Sequence, residues 1–435
     1  MTRQGIDVIL IGHFRLSLSF WGAERRQNLI RHDSGQVLRL RSGLFKDREF
    51  DRTARMTESG KACMYKNKTL IVIFIGILVI AIVLGISFFS EKTETQIIPQ
   101  SNSQENDNAD VSIVTQNLEI PWEIVFLPDS RMLVTERPGR VRIISRDGNL
   151  NTSPVATISE VKHIGEGGLL GIAIHPEFAG NQYVYLYYTY SNTGNNTLNK
   201  VVRFKFENDQ LINDKVIVDS IPGAANHNGG RIKFGPDNFL YITTGDAQEP
   251  SQAQDINSLA GKILRVTDEG KTASGNPFDN LVYSYGHRNP QGLAWDKDGR
   301  LWATEHGRSG IQSGLDEINL VEPGKNYGWP EIQGNERKEG METPQLNSGS
   351  DTWAPSGAVF IGGSLFFSGL RGQTLYEAVI AGDDISFKEH FKGEFGRIRN
   401  VVLGSDGYLY ITTSNRDGRG TVKTGDDKII KINQP

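Results

Sequence analysis

The chain has 435 residues, 23% charged and 37% hydrophobic, ordinary proportions for a globular protein long enough to bury a sizeable core. Its net charge of −4 hides a division. Residues 1–68 carry 14 Lys/Arg against 7 Asp/Glu, which leaves the remainder with 33 basic and 44 acidic groups. An acidic main body excludes nucleic acid as a partner, because phosphate binding needs a positive face.

Residues 1–63 are basic, poorly periodic and without a clear core pattern, and Met64 followed by Tyr-Lys-Asn-Lys makes a natural positive flank. Translation is therefore expected to start near Met64. Cys63 is the single cysteine, which excludes an intramolecular disulfide and a cysteine-held metal cluster. Residues 70–89 read LIVIFIGILVIAIVLGISFF, twenty residues without a charge, the length a helix needs to cross a bilayer. Lys66 and Lys68 precede this run and Glu91 and Glu94 follow it, so the positive-inside rule puts the C-terminal part outside the cytoplasm. A cleaved signal peptide is the competing reading; the apolar run is long for one and lacks a small-x-small exit. The polar stretch 91–110 reads as a flexible linker.

From 111 onward, short β-rich runs alternate with Gly, Asp and Asn turns, and no long amphipathic helical pattern occurs. The fold class is all-β. The runs repeat: 232–246 read IKFGPDNFLYITTGD, 293–307 LAWDKDGRLWATEHG and 401–415 VVLGSDGYLYITTSN. Looser copies place equivalent strand positions at Leu133, Leu186, Leu240, Leu301, Phe366 and Leu409. Six units in 325 residues suit a six-bladed β-propeller over residues 111–435. Such a ring brings loops from distant blades together above a central channel.

Five stretches hold more polar groups than plain blades need: GEGGLLGIAIHP (165–176), NHNGGRIKFGPD (226–237), YGHRNPQGLAWD (285–296), EHGRSGIQSGLDEINLVEPGKNYGWP (305–330) and GRIRNVVLGSDG (396–407). In this order they resemble the soluble quinoprotein glucose/sorbosone dehydrogenase family, and within it the aldose sugar dehydrogenase branch. The resemblance covers roughly residues 112–435, and no single motif would carry it alone. It implies oxidation of an aldose at C1 with pyrroloquinoline quinone (PQQ) and Ca2+ as cofactors.

By itself His227 reads as a turn residue; the resemblance makes it the general base, a role suited to imidazole. Asn226 stands where the glucose enzyme has a carboxylate. Arg288 and Asn289 read alone as an Asn-Pro turn, and by resemblance lie against the cofactor. Arg288 would there stabilise charge on the quinone. Arg397 and Arg399 alternate around Ile398, so in a strand they share a face; the plain reading is a solvated basic face, the family reading a clamp for cofactor carboxylates. Arg371 is a further contact of this kind by resemblance. The resemblance gives the catalytic Ca2+ the main-chain carbonyls of Gly307 and Arg308, the latter replacing a proline, and gives a second Ca2+ site Glu317 and Tyr327. Glu317 reads equally as a surface carboxylate. Glu166, at a position usually Gln, is expected near the sugar hydroxyls; Trp329 is expected either to stack on the sugar or to fill the core. His175 and His287 have no metal-ligand spacing.

Two other functions compete: a calcium-dependent lactonase on the same scaffold, and a cell-surface binding propeller without catalysis. The arginine set argues against the first and His227 against the second. The expected electron acceptor is a membrane quinone or cytochrome.

Overall fold

The computed structural model describes residues 111–382 and 384–433. The segment 1–63, the membrane span 70–89 and the linker 91–110 lie outside the described residues. Among the described residues no helix is long and apolar enough to cross a membrane.

Six four-stranded antiparallel sheets form the blades. Blade 1 holds Pro121–Phe126, Met132–Glu136, Arg140–Ile144 and Ala156–Thr157. Blade 2 holds Leu169–Ile174, Tyr183–Ser191, Thr197–Glu207 and Gln210–Pro222; blade 3 holds Ile232–Phe234, Leu240–Thr244, Lys262–Val266 and Val282–Tyr285. Blade 4 comprises Pro290–Trp295, Leu301–Glu305, Glu317–Val321 and Leu346–Asn347, and blade 5 comprises Pro355–Ile361, Ser364–Gly369, Thr374–Ala381 and Asp384–His390. In blade 6, Ile398–Leu403, Leu409–Thr413 and Ile429–Ile432 are completed by Val111–Thr115, which pairs with Ile429–Ile432. The first described strand thus closes the ring and covers what would be an open sheet edge. All six repeat positions read from the sequence fall in second strands.

The repeated Asp-containing turn has a physical cause. Asp237, Asp296 and Asp406 each accept a backbone N–H two residues on. Their other oxygens accept from Tyr241 Oη, Trp302 Nε1 and Tyr410 Oη, each at 2.9 to 3.0 Å. One carboxylate therefore sets the turn and fixes the aromatic of the next strand. The second strands of blades 1, 3, 4 and 6 are buried along their whole length, because the apolar core lies in layers between blades. Tyr185 and Tyr187 of blade 2, for example, pack on Ile232, Leu240 and Leu264 of blade 3.

First strands lie innermost, blade 1 against 2 and 6, 2 against 3, 4 against 5, and 5 against 6. Loops that enter first strands and leave second strands therefore gather at one mouth of the channel.

Candidate active site

His227 lies in the loop entering blade 3. Asn228, buried beside it, pins that loop by exchanging hydrogen bonds with the Ala224 backbone at 3.1 and 2.9 Å. His227 itself has φ +60°, a left-handed conformation costly for a side chain with a Cβ and often retained where function requires it. Its Nδ1 lies 2.8 Å from Asp246 Oδ1, and its Nε2 lies 2.9 Å from Arg288 Nη2. A guanidinium only donates, so Nε2 accepts and Nδ1 carries the proton toward Asp246. The unprotonated Nε2 thus points at the cavity-lining Arg288, which must move before Nε2 can accept from anything else.

Asp246 leaves the second strand of blade 3 and is fully buried. Besides His227, it accepts Gln248 N–H at 2.8 Å and Trp329 Nε1–H at 2.9 Å. With both oxygens held it cannot readily turn away from the imidazole.

The mouth opens as a cavity of about 470 Å3 lined by six arginines, 288, 308, 371, 397, 399 and 419, against the carboxylates of Glu166 and Asp316. That surplus fits a polyanion. Arg288, Arg308 and Arg399 each bury an Nε without an acceptor, as His306 does its Nε2. Arg399 has only neutral partners, Gln291 Oε1 at 2.7 Å and Ser356 Oγ at 3.4 Å, and burial lowers it to about 9. Arg397 differs: Asp417 binds its guanidinium at 2.9 Å. Arg371 is exposed and reaches Ser313 Oγ at 3.2 Å.

Glu166 closes one side of the cavity. Its Oε1 pairs with Arg419 Nη1 at 2.5 Å and its Oε2 accepts the His227 N–H at 3.3 Å. Arg419 also donates to Asn226 Oδ1 at 3.1 Å. Burial works to raise the Glu166 carboxyl, yet His306 and Arg419 bring it down to about 2. Burial pushes His306 itself down to about 3, so at neutral pH Arg419 is the partner that acts.

Behind the cavity, Glu305, Gly307, Arg308, Glu317 and Tyr327 surround a void of about 10 Å3, sized for one atom-like occupant. Burial, with the Glu305 carboxylate beside it, pushes Glu317 up to about 8; a cation there would relieve both causes. Glu317 is therefore no surface carboxylate. Gly307 donates to Asp316 Oδ1 at 2.8 Å, and a Cβ on it would collide with the Leu315 carbonyl. No cluster of three or more His, Cys, Asp or Glu side chains could hold a metal among the described residues, so a cation here would draw on backbone carbonyls as well.

A family profile described as Glucose / Sorbosone dehydrogenase matches residues 118–423. The chain belongs to the glucose/sorbosone dehydrogenase family. It is 31% identical over 343 residues to aldose sugar dehydrogenase YliI of Escherichia coli, covering 71% of this chain and 91% of that one. Quinoprotein glucose dehydrogenase B of Acinetobacter calcoaceticus is 32% identical over 277 residues, 54% of this chain and 56% of the relative. The PQQ-bound aldose sugar dehydrogenase of Streptomyces coelicolor superposes with a TM-score of 0.69 at 38% identity, over 74% of this chain and 98% of that chain.

The structure gives several of the expected residues other neighbours than the sequence reading placed beside them. Trp329 does not line the main cavity; it holds Asp246 and lies 5.3 Å from the Arg288 guanidinium. Asn289 is fully buried, and its Oδ1 takes Gly229 N–H at 3.0 Å, so it braces the His227 loop. Of the four residues expected to ligate metal, Gly307 and Arg308 line both the main cavity and the void, whereas Glu317 and Tyr327 line the void alone. His287 is structural, fixed by Ser284 and Glu305 and stacked 4.7 Å from Tyr327. Asp246, His306 and Arg419 were missed. A usable signal existed: Asp246 ends the copy ITTGD where others end TTSN and TEHG, the point at which each second strand meets the mouth.

Proposed function

We propose that this chain oxidises aldoses at C1 to the lactone, using PQQ as electron acceptor and Ca2+ as the metal. The carrying observation is a histidine with an unprotonated Nε2 beside Arg288 in a cavity walled by arginines. Arg371, Arg397, Arg399 and Arg288 would hold the cofactor's carboxylates and quinone edge, and the carbonyls of Gly307 and Arg308 with Glu317 and Tyr327 would hold Ca2+. When bound, that pair supplies the two-electron acceptor and its polarisation.

The residues do the rest. At rest Arg288 Nη2 donates to His227 Nε2, so Arg288 first turns toward the acceptor side, where it would stabilise developing negative charge. His227 Nε2, so freed, takes the proton of the C1 hydroxyl, and Asp246 steadies the imidazolium that results. Glu166, held ionised by Arg419, accepts hydroxyl hydrogens of the sugar. The aldose sugar and quinoprotein glucose dehydrogenases among its relatives support the reaction class, and the arginine wall favours it over a lactonase. We further propose that residues 70–89 tether the domain outside the cytoplasm, where a membrane quinone or cytochrome would take the electrons.

The test is dye-linked aldose oxidation by chelator-stripped protein. Activity returning only with PQQ and Ca2+ together, and lost in His227→Ala, supports the reading. A panel of aldoses giving neither turnover nor a PQQ-dependent rise in Tm would replace it with a binding propeller.

A further inference from the structure

The channel has a second mouth. There the C-terminal ends of the first strands of blades 1, 2, 3, 4 and 6 surround another cavity, of about 610 Å3, within the range of small-molecule sites. Its walls are apolar and partly aromatic, with Ile174, Phe234 and Trp295 among them. Deeper along the strands its floor is polar, formed by Glu123, Lys233 and Asn400.

A plug separates this cavity from the catalytic mouth. Arg231, fully buried, binds Glu123 Oε1 at 2.5 Å, the Gln291 carbonyl at 2.8 Å and Asn400 Oδ1 at 3.3 Å. The Trp122 ring lies between the guanidinium groups of Arg231, at 4.1 Å, and Arg399, at 5.7 Å. A ligand in one cavity therefore does not reach the other.

The floor keeps a donor to spare, while both oxygens of its one carboxylate are engaged. Glu123 spends one oxygen on Arg231 and the other on Ile172 N–H at 3.0 Å. Asn400 is 2% exposed and its Nδ2 has no partner, a costly arrangement for a buried amide. Lys233 Nζ donates to the carbonyls of Leu293 and Ala358 at 3.0 and 2.9 Å, which leaves one of its three N–H groups. One carboxylate faces two cations, Arg231 and Lys233. The complement to such a floor is an acceptor with negative charge, and the complement to Phe234 and Trp295 is a flat apolar body.

We propose that this far cavity binds a small aromatic monocarboxylate, its head accepting from Lys233 Nζ and its ring lying against Phe234 and Trp295. The site stands apart from the proposed reaction, so its test needs no turnover. Calorimetric titration of the full chain with 2-naphthoate, with and without PQQ and Ca2+, should give one saturable site of the same affinity. Lys233→Met should weaken binding at least tenfold, and Ile174→Trp, which takes up part of the cavity, should weaken it as well. The neutral 2-naphthamide, of the same shape, should bind at least tenfold more weakly than the acid. Absence of saturable binding, competition by PQQ, equal affinity for the amide, or binding unchanged in Ile174→Trp would each overturn the proposal. If Lys233→Met fails to fold, Ile174→Trp and the acid–amide comparison decide.

Discussion

Asp246 Oδ1 lies 2.8 Å from His227 Nδ1, across 19 residues of chain, and the Trp329 indole holds its other oxygen at 2.9 Å. A buried carboxylate fixed at both oxygens can only keep the imidazole in the tautomer that leaves Nε2 basic. Asp246→Asn preserves shape but offers an amide N–H to Nδ1. Steady-state kinetics should show kcat down by roughly a hundredfold or more, while PQQ affinity, read by fluorescence titration, stays within about threefold because Asp246 does not line the cavity. Equal loss of both would make Asp246 a folding residue only.

The Glu166–Arg419 pair should act on substrate rather than on chemistry. Glu166→Gln and Arg419→Ala are each expected to raise KM for an aldose several-fold with a smaller fall in kcat. The double variant should be no worse than the poorer single one, since both remove one device. Additive losses in kcat would separate the two residues.

Arg397 and Arg399 should differ although both line the cavity. Arg397 already has Asp417 at 2.9 Å, whereas Arg399 meets only neutral groups. Arg399→Gln should therefore cost at least about tenfold in PQQ affinity. It should also flatten the dependence of that affinity on salt, measured from 50 to 500 mM NaCl. A larger loss for Arg397→Gln would reverse the assignment.

Ring closure should carry a pH signature. Asp427 exchanges backbone hydrogen bonds with Leu118 at 3.0 Å each way and accepts Ile120 N–H at 3.2 Å, joining blade 6 to the approach to blade 1. Burial raises its carboxyl from 3.8 to about 6. The folded value lies above the unfolded one, so its contribution is full below pH 4 and is lost as pH rises through 6, by up to about 3 kcal/mol. Asp427→Asn keeps an acceptor without a charge. The Tm of the wild type relative to this variant should be highest near pH 4 and fall by pH 7.5; a constant difference would show that Asp427 does not titrate in this range.

Glu317 should respond to the metal. Added Ca2+ should raise Tm at pH 8, where ionised Glu317 and Glu305 would otherwise repel, and Glu317→Gln should reduce that rise. An unchanged calcium effect in the variant would place the ion elsewhere.

The local sequence sufficed for whatever repeats or alternates. Leu240, Leu301 and Leu409 follow Asp turns because the same carboxylate sets the turn and binds the next aromatic, so each blade carries its own signature. Arg397 and Arg399 were legible as a pair from their spacing, although Arg397 lies just before the strand Ile398–Leu403 and a register shift falls between Ile398 and Asn400, so packing and not regular alternation brings both to the cavity. The pairing of Val111–Thr115 with the last blade was not legible, since the partners lie at opposite ends of the described chain and only ring closure brings them together. The same holds for the site. His227, Arg288 and Glu166 carried motifs, but the carboxylate beside His227 Nδ1 became visible only when blade 3 placed Asp246 there, while the neighbouring amide Asn226 binds Arg419. Arg419 met Glu166 across 253 residues, a distance at which no spacing rule acts. Chain chemistry determined the blades and their donors; tertiary packing decided which charges are neutralised by neighbours and which, like Arg399, are left for a ligand, because burial and distance fix the value of a charge.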